Sequence, residues 1–214
     1  MRVQPDLERE LAQLQRGRRY VAGIDEAGRG ALAGPVVAAA VVLPLNRTDL
    51  ASVLSEVRDS KQLSPAARDR CDQLVRELAV AVGIGEASAA EVDERGLLPA
   101  TRAAMRRAVA ALDPAPACLL IDHINLPELT LPQEAITRGD QSVLSIAAAS
   151  VVAKVWRDRL MVELDEIFSG YGFARHKGYG TSQHRQALAR LGPCPEHRRS
   201  YAPVQRAQVL VNDS

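Results

Sequence analysis

The chain has 214 residues, of which 47% are hydrophobic and 25% charged, a balance typical of a globular protein with one large domain. A formal net charge of +1 excludes a polybasic binder whose affinity comes from bulk charge, but it permits a nucleic-acid enzyme in which an acidic centre offsets a basic face. Three scattered cysteines, none in a CxxC pair, predict neither a disulfide framework nor a zinc site and favour a reducing cytoplasm. We expect no signal peptide and no membrane span, because no apolar run is long enough.

The predicted secondary structure begins with a helix and a pair of strands and then alternates strands with helices. Leucines at residues 7–14 recur at helical spacing, Ser64-Pro65 is typical of a helix start, and residues 88–91 match a capping box. Three glycines between residues 28 and 34 predict a tight connection between the first two strands. In chain order, the predicted elements are a helix at 5–16, strands at 20–25 and 35–43, a helix at 64–79, a strand at 80–87, helices at 88–96 and 100–112, strands at 117–122 and 134–137, a long helix at 142–168 and a final helix at 182–191. This order predicts a mixed α/β sheet flanked by helices, with a small helical subdomain towards the C-terminus.

Four carboxylates stand at or near the ends of predicted buried strands. Asp25 and Glu26 end the first strand, Asp122 ends the strand at 117–122, and Asp140 precedes the long helix. The carboxyl ends of strands are where α/β folds place their sites, and clustered carboxylates stay ionised together only if a cation neutralises them. Ligation by oxygen alone selects Mg²⁺ or Mn²⁺, and two such ions about 3.5–4 Å apart can assist a phosphodiester displacement.

Each of these carboxylates also has a purely structural interpretation, because Asp at a strand end is commonly a turn or capping residue. Neighbouring side chains of a regular strand face opposite ways. Asp25 and Glu26 can therefore serve one site only if the strand ends there, which the glycines that follow favour. The spacing alone leaves both interpretations open.

An ordered series of segments from about residue 20 to 204 resembles the bacterial ribonuclease HII family. The segments are GIDEAGRG at 23–30, LAGPVVAAA at 32–40, DSKQLS at 59–64, GD at 139–140, SIAAASVVAKV at 145–155, RDR at 157–159, YGF at 171–173, HKGYGT at 176–181 and HRRSYAP at 197–203. A lone Asp-Glu pair is a weak signal. The series is specific because the segments occur in the family's order along nearly the whole chain.

The resemblance implies an RNase H-like fold and an endoribonuclease that hydrolyses RNA paired with DNA. It also implies cleavage 5′ of ribonucleotides embedded in duplex DNA, leaving a 3′-hydroxyl and a 5′-phosphate, with a role in DNA replication and repair. The implied ligands of Mn²⁺ or Mg²⁺, with two ions in the substrate complex, are Asp25, Glu26, Asp122 and Asp140. Gly28, Arg29 and Gly30 would sense the ribose 2′-hydroxyl, the group that separates RNA from DNA. Tyr179 would pack on the sugar of the next nucleotide.

One segment departs from the family pattern. Where the family leads us to expect DGNRLP, the chain has DHINLP at 122–127. Asp122 itself is retained, so the departure puts in doubt only the substrate contacts of the loop that follows it. His123 could shuttle protons beside the metal site, but a solvent-facing or capping histidine is the favoured interpretation.

Basic residues elsewhere have two interpretations each. Lys61 and Arg29 are the candidates for contact with the scissile phosphate, whereas Lys154 and Arg157 can be interpreted as surface charges on the long helix. A late cluster predicts either a phosphate-binding surface or a solvated helix face with a tail. Its members are Arg175, His176, Lys177, His184, Arg185, Arg190, His197, Arg198 and Arg199.

The resemblance divides the chain into an N-terminal helix or extension at 1–18, a catalytic domain at 19–204 with its helical region from about residue 170, and a tail at 205–214. We expect a cytoplasmic monomer that binds nucleic acid and no membrane. Three alternatives remain: ribonuclease HIII, a hybrid-binding module without activity, and a DNA nuclease or transposase of RNase H-like fold. The roughly twenty residues before the first strand leave no room for the extra N-terminal domain usual in ribonuclease HIII. The four carboxylates disfavour the module, and Gly28 to Gly30 with Tyr179 favours a ribose reader over a DNA nuclease.

Overall fold

The computed structural model describes residues 4–212, and the side chains only as far as residue 208. Parts of the predicted N-terminal extension (1–3) and tail (213–214) therefore lie outside the described residues. The strands are β1 Val21–Ala27, β2 Val36–Val42, β3 Ala81–Ala87, β4 Cys118–Asp122 and β5 Gln133–Ile136. The helices are α1 Glu8–Gln15, α2 Leu50–Val53, α3 Pro65–Leu78, α4 Ala89–Arg95, α5 Leu97–Ala110, α6 Leu144–Ile167, α7 Phe173–His176, α8 Ser182–Leu191 and α9 Ala202–Asn212. Short 3-10 turns cover Ser60–Gln62 and Gly139–Gln141.

The strands form one mixed sheet in the order β3-β2-β1-β4-β5. The β1–β2 and β2–β3 pairs are antiparallel, whereas β1–β4 and β4–β5 are parallel. Ile24 of β1 pairs with Ile121 of β4. Continuing this register by one residue brings Asp25 opposite Asp122, so the parallel pairing places two of the four carboxylates at the same edge of the sheet.

Helices cover both faces of the sheet, as predicted. Helix α5 packs against β2 and β3, and α6 packs against β1 and β2 on the other face. Glycine allows this close approach, because a Cβ at Gly83 would lie 2.0 Å from the carbonyl oxygen of Ala108 in α5. A Cβ at Gly23 would lie 2.2 Å from the carbonyl carbon of Ser145 in α6. The many alanines of the chain serve the same close packing.

The N-terminal helix fixes the start of α6. The backbone amide of Ser145 donates a 2.8 Å hydrogen bond to Oε1 of Glu10, which is fully buried. The first amides of a helix have no partner within the helix, so this carboxylate satisfies one of them. Because Asp140 lies just upstream, the contact also helps to fix the position of Asp140.

Two predicted boundaries were wrong. Strand β1 does not stop at the carboxylate pair but continues to Ala27, paired with Val37 of β2. The helix at 182–191 is not the last one, because α9 follows it in the segment predicted as a tail and packs its buried Val204 and Ala207 with Leu188 of α8. The short helices α2 and α7 were not predicted, since four residues are too few to show a helical period.

The C-terminal helical region packs against the glycine-rich connection between β1 and β2. Isolated antiparallel bridges join Ala31 to Tyr179 and Ala33 to His197. The amide of Leu32 also donates a 2.8 Å hydrogen bond to the carbonyl of Gly178. The predicted helical region is therefore present, and it lies beside the segment at 28–30. Among the described residues, no helix combines the length and apolar character needed to span a membrane.

Candidate active site

The four carboxylates lie close enough to influence one another. Asp25 is 3% exposed and Asp140 is 4% exposed, whereas Asp122 is half-buried. One oxygen of Asp122 accepts the amide of Gly139 at 2.8 Å, which holds the residue before Asp140 against the end of β4. Because β1 continues past the pair, alternation turns Glu26 to the face opposite Asp25, and the expectation that a strand end brings them together was wrong. Both carboxylates are nevertheless within electrostatic range of Asp122 at the end of β4.

Burial and mutual repulsion dominate the electrostatics of this group. Burial, together with the charges of Glu26 and Asp122, raises the pKa of Asp25 well above its ordinary value. Burial also raises the pKa of Asp140, with a further contribution from Asp59. For Glu26, burial outweighs the attraction of Arg29 and the pKa is again raised. A cation at this edge would relieve the strain of gathering these charges.

The donor set fits a hard divalent cation. All the candidate ligands are carboxylates, and Oε2 of Glu26 is buried without a hydrogen-bond partner, which leaves an oxygen free to bind an ion. The other oxygen of Glu26 lies 3.2 Å from the guanidinium of Arg29. Among the side chains described, residues 4–208, no group of three or more His, Cys, Asp or Glu already stands in a metal-binding arrangement.

Lys61 lies beside the carboxylates. Its Nζ is 3.4 Å from Asp140 and 3.7 Å from Asp59, while its side chain is 78% exposed. Partial burial lowers the pKa of Lys61, but the attraction of Asp59 and Asp140 outweighs that effect, so the pKa is raised. Asp59 appeared in the sequence only as part of a matching segment. The structure adds this buried carboxylate to the surroundings of Asp140.

The three residues at 28–30 play different structural parts. A Cβ at Gly28 would lie 2.0 Å from Nε of Arg157, and the φ of Gly28 is +93°, so this glycine is required by the fold. A Cβ at Gly30 would meet nothing within 4 Å, so Gly30 faces open space. The amides of Arg29 and Gly30 donate no hydrogen bond to any other residue of the described chain.

Tyr179 lies next to this segment through its bridge to Ala31. Its half-buried ring has two cations over its face, with the Lys154 amine 5.5 Å and the Arg157 guanidinium 5.3 Å from the ring centroid. The ring also lines a cavity of about 690 Å³ that includes Arg159 and Arg175 but none of the four carboxylates. Tyr179 therefore lies between the glycine segment at 28–30 and this partly basic cavity.

The late basic cluster is only partly a surface. Arg198 and His184 are fully buried, and His197 and His176 are 1% and 8% exposed. Both predictions, a phosphate-binding surface and a solvated helix face, were wrong for these four side chains, which form part of the interior of the C-terminal region. Arg157, interpreted as a surface charge, is likewise fully buried. A buried charge is not distinguishable from a solvated one by residue type, so the sequence carried no direct signal of this.

The buried histidines form a hydrogen-bonded chain that ends at Tyr179. The Cys194 amide donates to Nδ1 of His197 at 3.1 Å, so the proton of a neutral His197 lies on Nε2. That Nε2–H donates to Nε2 of His184 at 3.0 Å, and Nδ1–H of His184 donates to the Tyr179 carbonyl at 3.0 Å. Burial lowers the pKa of both histidines to about 4, which keeps them neutral.

The surroundings of His123 disfavour a catalytic role for its side chain. Its side chain is exposed, its φ is +58°, and its amide donates to the Ile136 carbonyl at 3.1 Å. A left-handed backbone of this kind favours glycine, the residue expected there from the resemblance. The structure thus supports the solvent-facing interpretation of His123.

A mixed sheet flanked by helices, with carboxylates gathered at the ends of two parallel strands, defines a hydrolase of the RNase H-like class. Residues 22–204 match the sequence model of the family described as Ribonuclease HII. The chain belongs to the ribonuclease HII family and is a nuclease.

Relatives and solved structures agree with this assignment. The chain is 53% identical to the ribonuclease HII of Synechococcus sp. (strain JA-3-3Ab) over 207 residues, 97% of this chain and 92% of the relative. It is 51% identical to that of Chloroflexus aurantiacus over 98% of this chain and 99% of the relative. The fold is similar to the crystal structure of ribonuclease H2 from Pyrococcus horikoshii (TM-score 0.76, 22% identity, 91% of this chain and 100% of that one). It is also similar to Bst-RNase HIII in complex with Mn²⁺ (TM-score 0.72, 20% identity, 95% and 74%).

Proposed function

We propose that the chain is an endoribonuclease that hydrolyses the RNA strand of RNA–DNA hybrids and cuts 5′ of single ribonucleotides in duplex DNA. The products are a 3′-hydroxyl and a 5′-phosphate. The observation that carries this proposal is the proximity of a carboxylate cluster to the unpaired amides of Arg29 and Gly30. The first feature suits phosphodiester hydrolysis, and the second suits recognition of a ribose hydroxyl.

Asp25, Glu26, Asp122 and Asp140 are the proposed ligands of Mg²⁺ or Mn²⁺, with two ions in the substrate complex. When bound, these ions would neutralise the carboxylates, favour ionisation of the attacking water and stabilise the leaving oxygen. The unpaired, buried Oε2 of Glu26 supports its place in this set. A ribonuclease HIII with the same fold has been described in complex with Mn²⁺.

Lys61 and Arg29 are proposed to meet the phosphate. The exposed amine of Lys61 is tethered beside Asp140 at 3.4 Å, so it can neutralise a phosphate oxygen without moving far. The guanidinium of Arg29 is about one third exposed and already paired with Glu26. A phosphate and a cation arriving together would let Arg29 exchange the carboxylate for the phosphate.

Ribose selection is assigned to the segment at 28–30 and to Tyr179. The amides of Arg29 and Gly30 can donate to a 2′-hydroxyl, and the open space at Gly30 allows the sugar to approach. The ring of Tyr179 would pack on the sugar of the next nucleotide, where an additional hydroxyl changes the fit. Unpaired Cys71, Cys118 and Cys194 support the predicted cytoplasmic location, and a monomer remains our expectation.

The test is cleavage of a DNA duplex that contains one ribonucleotide, with Mg²⁺ or Mn²⁺, followed by mapping of the cut. We expect a cut on the 5′ side of the ribonucleotide and none after EDTA is added. The variant Asp25→Asn should lose cleavage by a factor of at least about 10³ while it still binds the duplex, since one ligand carboxylate is lost and the fold is kept. Equally fast cutting of an all-DNA duplex, or full activity of Asp25→Asn, would refute the proposal.

A further inference from the structure

We propose that Arg198 is a positioning residue for ribose recognition: its buried guanidinium holds the carbonyls of the segment at 28–30, so that the amides of this segment face the substrate. The inference rests on the proposed function, because it explains how the ribose-reading segment keeps its shape. Arg198 was assigned by the sequence to a basic surface. It is fully buried instead, which removes it from direct contact with nucleic acid.

All five N–H groups of Arg198 are used. Its NH2 donates to the Gly28 carbonyl at 2.8 Å and to the Gly34 carbonyl at 3.0 Å, and its NH1 donates to the Arg29 carbonyl at 2.8 Å. The remaining donors reach the Gly34 carbonyl (3.2 Å, from Nε) and the hydroxyl of Tyr201 (3.2 Å, from NH1). The Tyr201 hydroxyl in turn donates to the Arg29 carbonyl at 3.2 Å. One side chain therefore ties both ends of the connection together.

The hydrogen bonds of Arg198 to the carbonyls also fix the orientation of the amides of Arg29 and Gly30. The carbonyl of Gly28 and the amide of Arg29 belong to one planar trans peptide unit and point in opposite directions. The same holds for the carbonyl of Arg29 and the amide of Gly30. Because Arg198 draws both carbonyls inward, both amides point away from it. Neither amide has an acceptor among the described residues, so both remain available to a ligand.

The cost of burying the Arg198 guanidinium favours a specific role in holding the turn over incidental packing. No described carboxylate lies within salt-bridge distance of Arg198, and burial lowers its pKa. A buried cation without a counter-ion is costly unless its hydrogen bonds are complete. Here the turn supplies the acceptors, although the Gly28 carbonyl also accepts the amide of Ala31 at 3.2 Å and the Arg29 carbonyl also accepts the hydroxyl of Tyr201 at 3.2 Å. A lysine at this position would keep the charge but could not reach three carbonyls in a fixed fork.

The experiment measures how well the protein distinguishes ribose from deoxyribose. In an Asp25→Asn background, which prevents cleavage, the Kd of a duplex with one ribonucleotide is compared with the Kd of the same all-DNA duplex. The preference for ribose is the Kd of the all-DNA duplex divided by the Kd of the duplex with one ribonucleotide. We expect Arg198→Lys to reduce this Kd ratio at least five-fold. In the otherwise wild-type chain, Arg198→Lys should lower kcat/KM for the ribonucleotide-containing duplex at least five-fold. Circular dichroism fixes a temperature at which every variant is folded.

A merely structural part for Arg198 predicts another result. Partial unfolding lowers the concentration of competent protein for both duplexes equally, so the Kd ratio would stay constant. Arg199→Lys is the matched control, because Arg199 is the exposed neighbour, and it should leave the ratio unchanged. If Arg198→Lys does not fold, Tyr201→Phe decides, since it removes one hydrogen bond to the same carbonyl and should reduce the ratio about two-fold.

The two proposals fail in different ways. An unchanged ratio in folded Arg198→Lys, or in Tyr201→Phe where that variant decides, would overturn the part assigned to Arg198 while the proposed function stands. Absence of any preference for the ribonucleotide in the chain with native Arg198 would refute the proposed function, and this inference with it.

Discussion

Replacing Gly28 by alanine should destabilise the fold far more than its position in a loop suggests. The new Cβ would lie 2.0 Å from Nε and 2.6 Å from Cδ of Arg157, a side chain with no exposed surface. Arg157 cannot move aside freely, because it donates hydrogen bonds of 2.9, 3.1 and 2.9 Å to the carbonyls of Pro35, Ala33 and Lys177. Loss of one or two such bonds costs about 1.5–3 kcal/mol each. The φ of +93° adds about 1–2 kcal/mol for a residue with a Cβ, so we expect a loss of about 2.5–8 kcal/mol in all.

Equilibrium unfolding in urea measures this loss, and Gly30→Ala is the control. A Cβ at Gly30 meets nothing within 4 Å, and its φ lies outside the left-handed region. Gly30→Ala should therefore change the unfolding free energy by less than about 1 kcal/mol but reduce cleavage, because the methyl group occupies the space left for the ribose. A Gly28→Ala protein within about 1 kcal/mol of wild type would show that Arg157 does not need this glycine.

Three further changes test the fold and the site. His123→Gly should raise the unfolding free energy by up to about 1 kcal/mol and leave the cleavage rate unchanged, whereas a proton shuttle would lose activity. Glu10→Ala should cost about 2 kcal/mol in urea unfolding, because the Ser145 amide loses its partner; Glu10→Gln keeps an acceptor and should cost less. The contribution of His184 and His197 to stability should be complete above pH 6.5 and be lost as the pH drops towards 4, because their pKa is near 4 in the fold and 6.5 when exposed, so the unfolded chain binds more protons. Replacing both histidines with glutamine should flatten this part of the pH–stability curve, and an unchanged slope would contradict their assignment.

The fold and the carboxylates were accessible from the sequence because both depend on local patterns. Apolar runs ending in Asp25 and Asp122 predicted two strands that end in carboxylates, and the parallel pairing of β1 with β4, which the sequence did not predict, places them side by side. The capping box at Ser88 and the proline start at residue 65 set helix boundaries that the structure reproduces. In each case the decisive interactions lie within a few residues, or within one strand pair, of the pattern.

The buried cations could not be predicted, because their partners are distant backbone atoms. Arg198 is separated from Gly28 by 170 residues, and it binds carbonyls, which every residue possesses. No choice of side chain at the partner position therefore marks the contact in the sequence. The histidine chain has the same character, since two of its contacts are to the backbone of Cys194 and Tyr179. A basic residue type predicts an exposed side chain. Only the tertiary structure reveals that the connection between β1 and β2 supplies enough carbonyl acceptors to bury the arginine.

The glycine segment shows how one sequence feature can serve two needs. A glycine beside a candidate active site predicts close approach to a substrate, and the open space at Gly30 agrees with that interpretation. At Gly28 the close approach is instead to Arg157, from the inside of the protein. Both Arg157 and Arg198 pack on the backbone of this connection. Arg157 occupies the space that a Cβ at Gly28 would fill, and Arg198 binds the carbonyls of Gly28 and Arg29. The substrate-facing side of the segment can be both exposed and rigid because two buried arginines, Arg157 and Arg198, hold its opposite side. A substitution at either arginine should therefore alter ribose recognition, although neither side chain contacts the ribose.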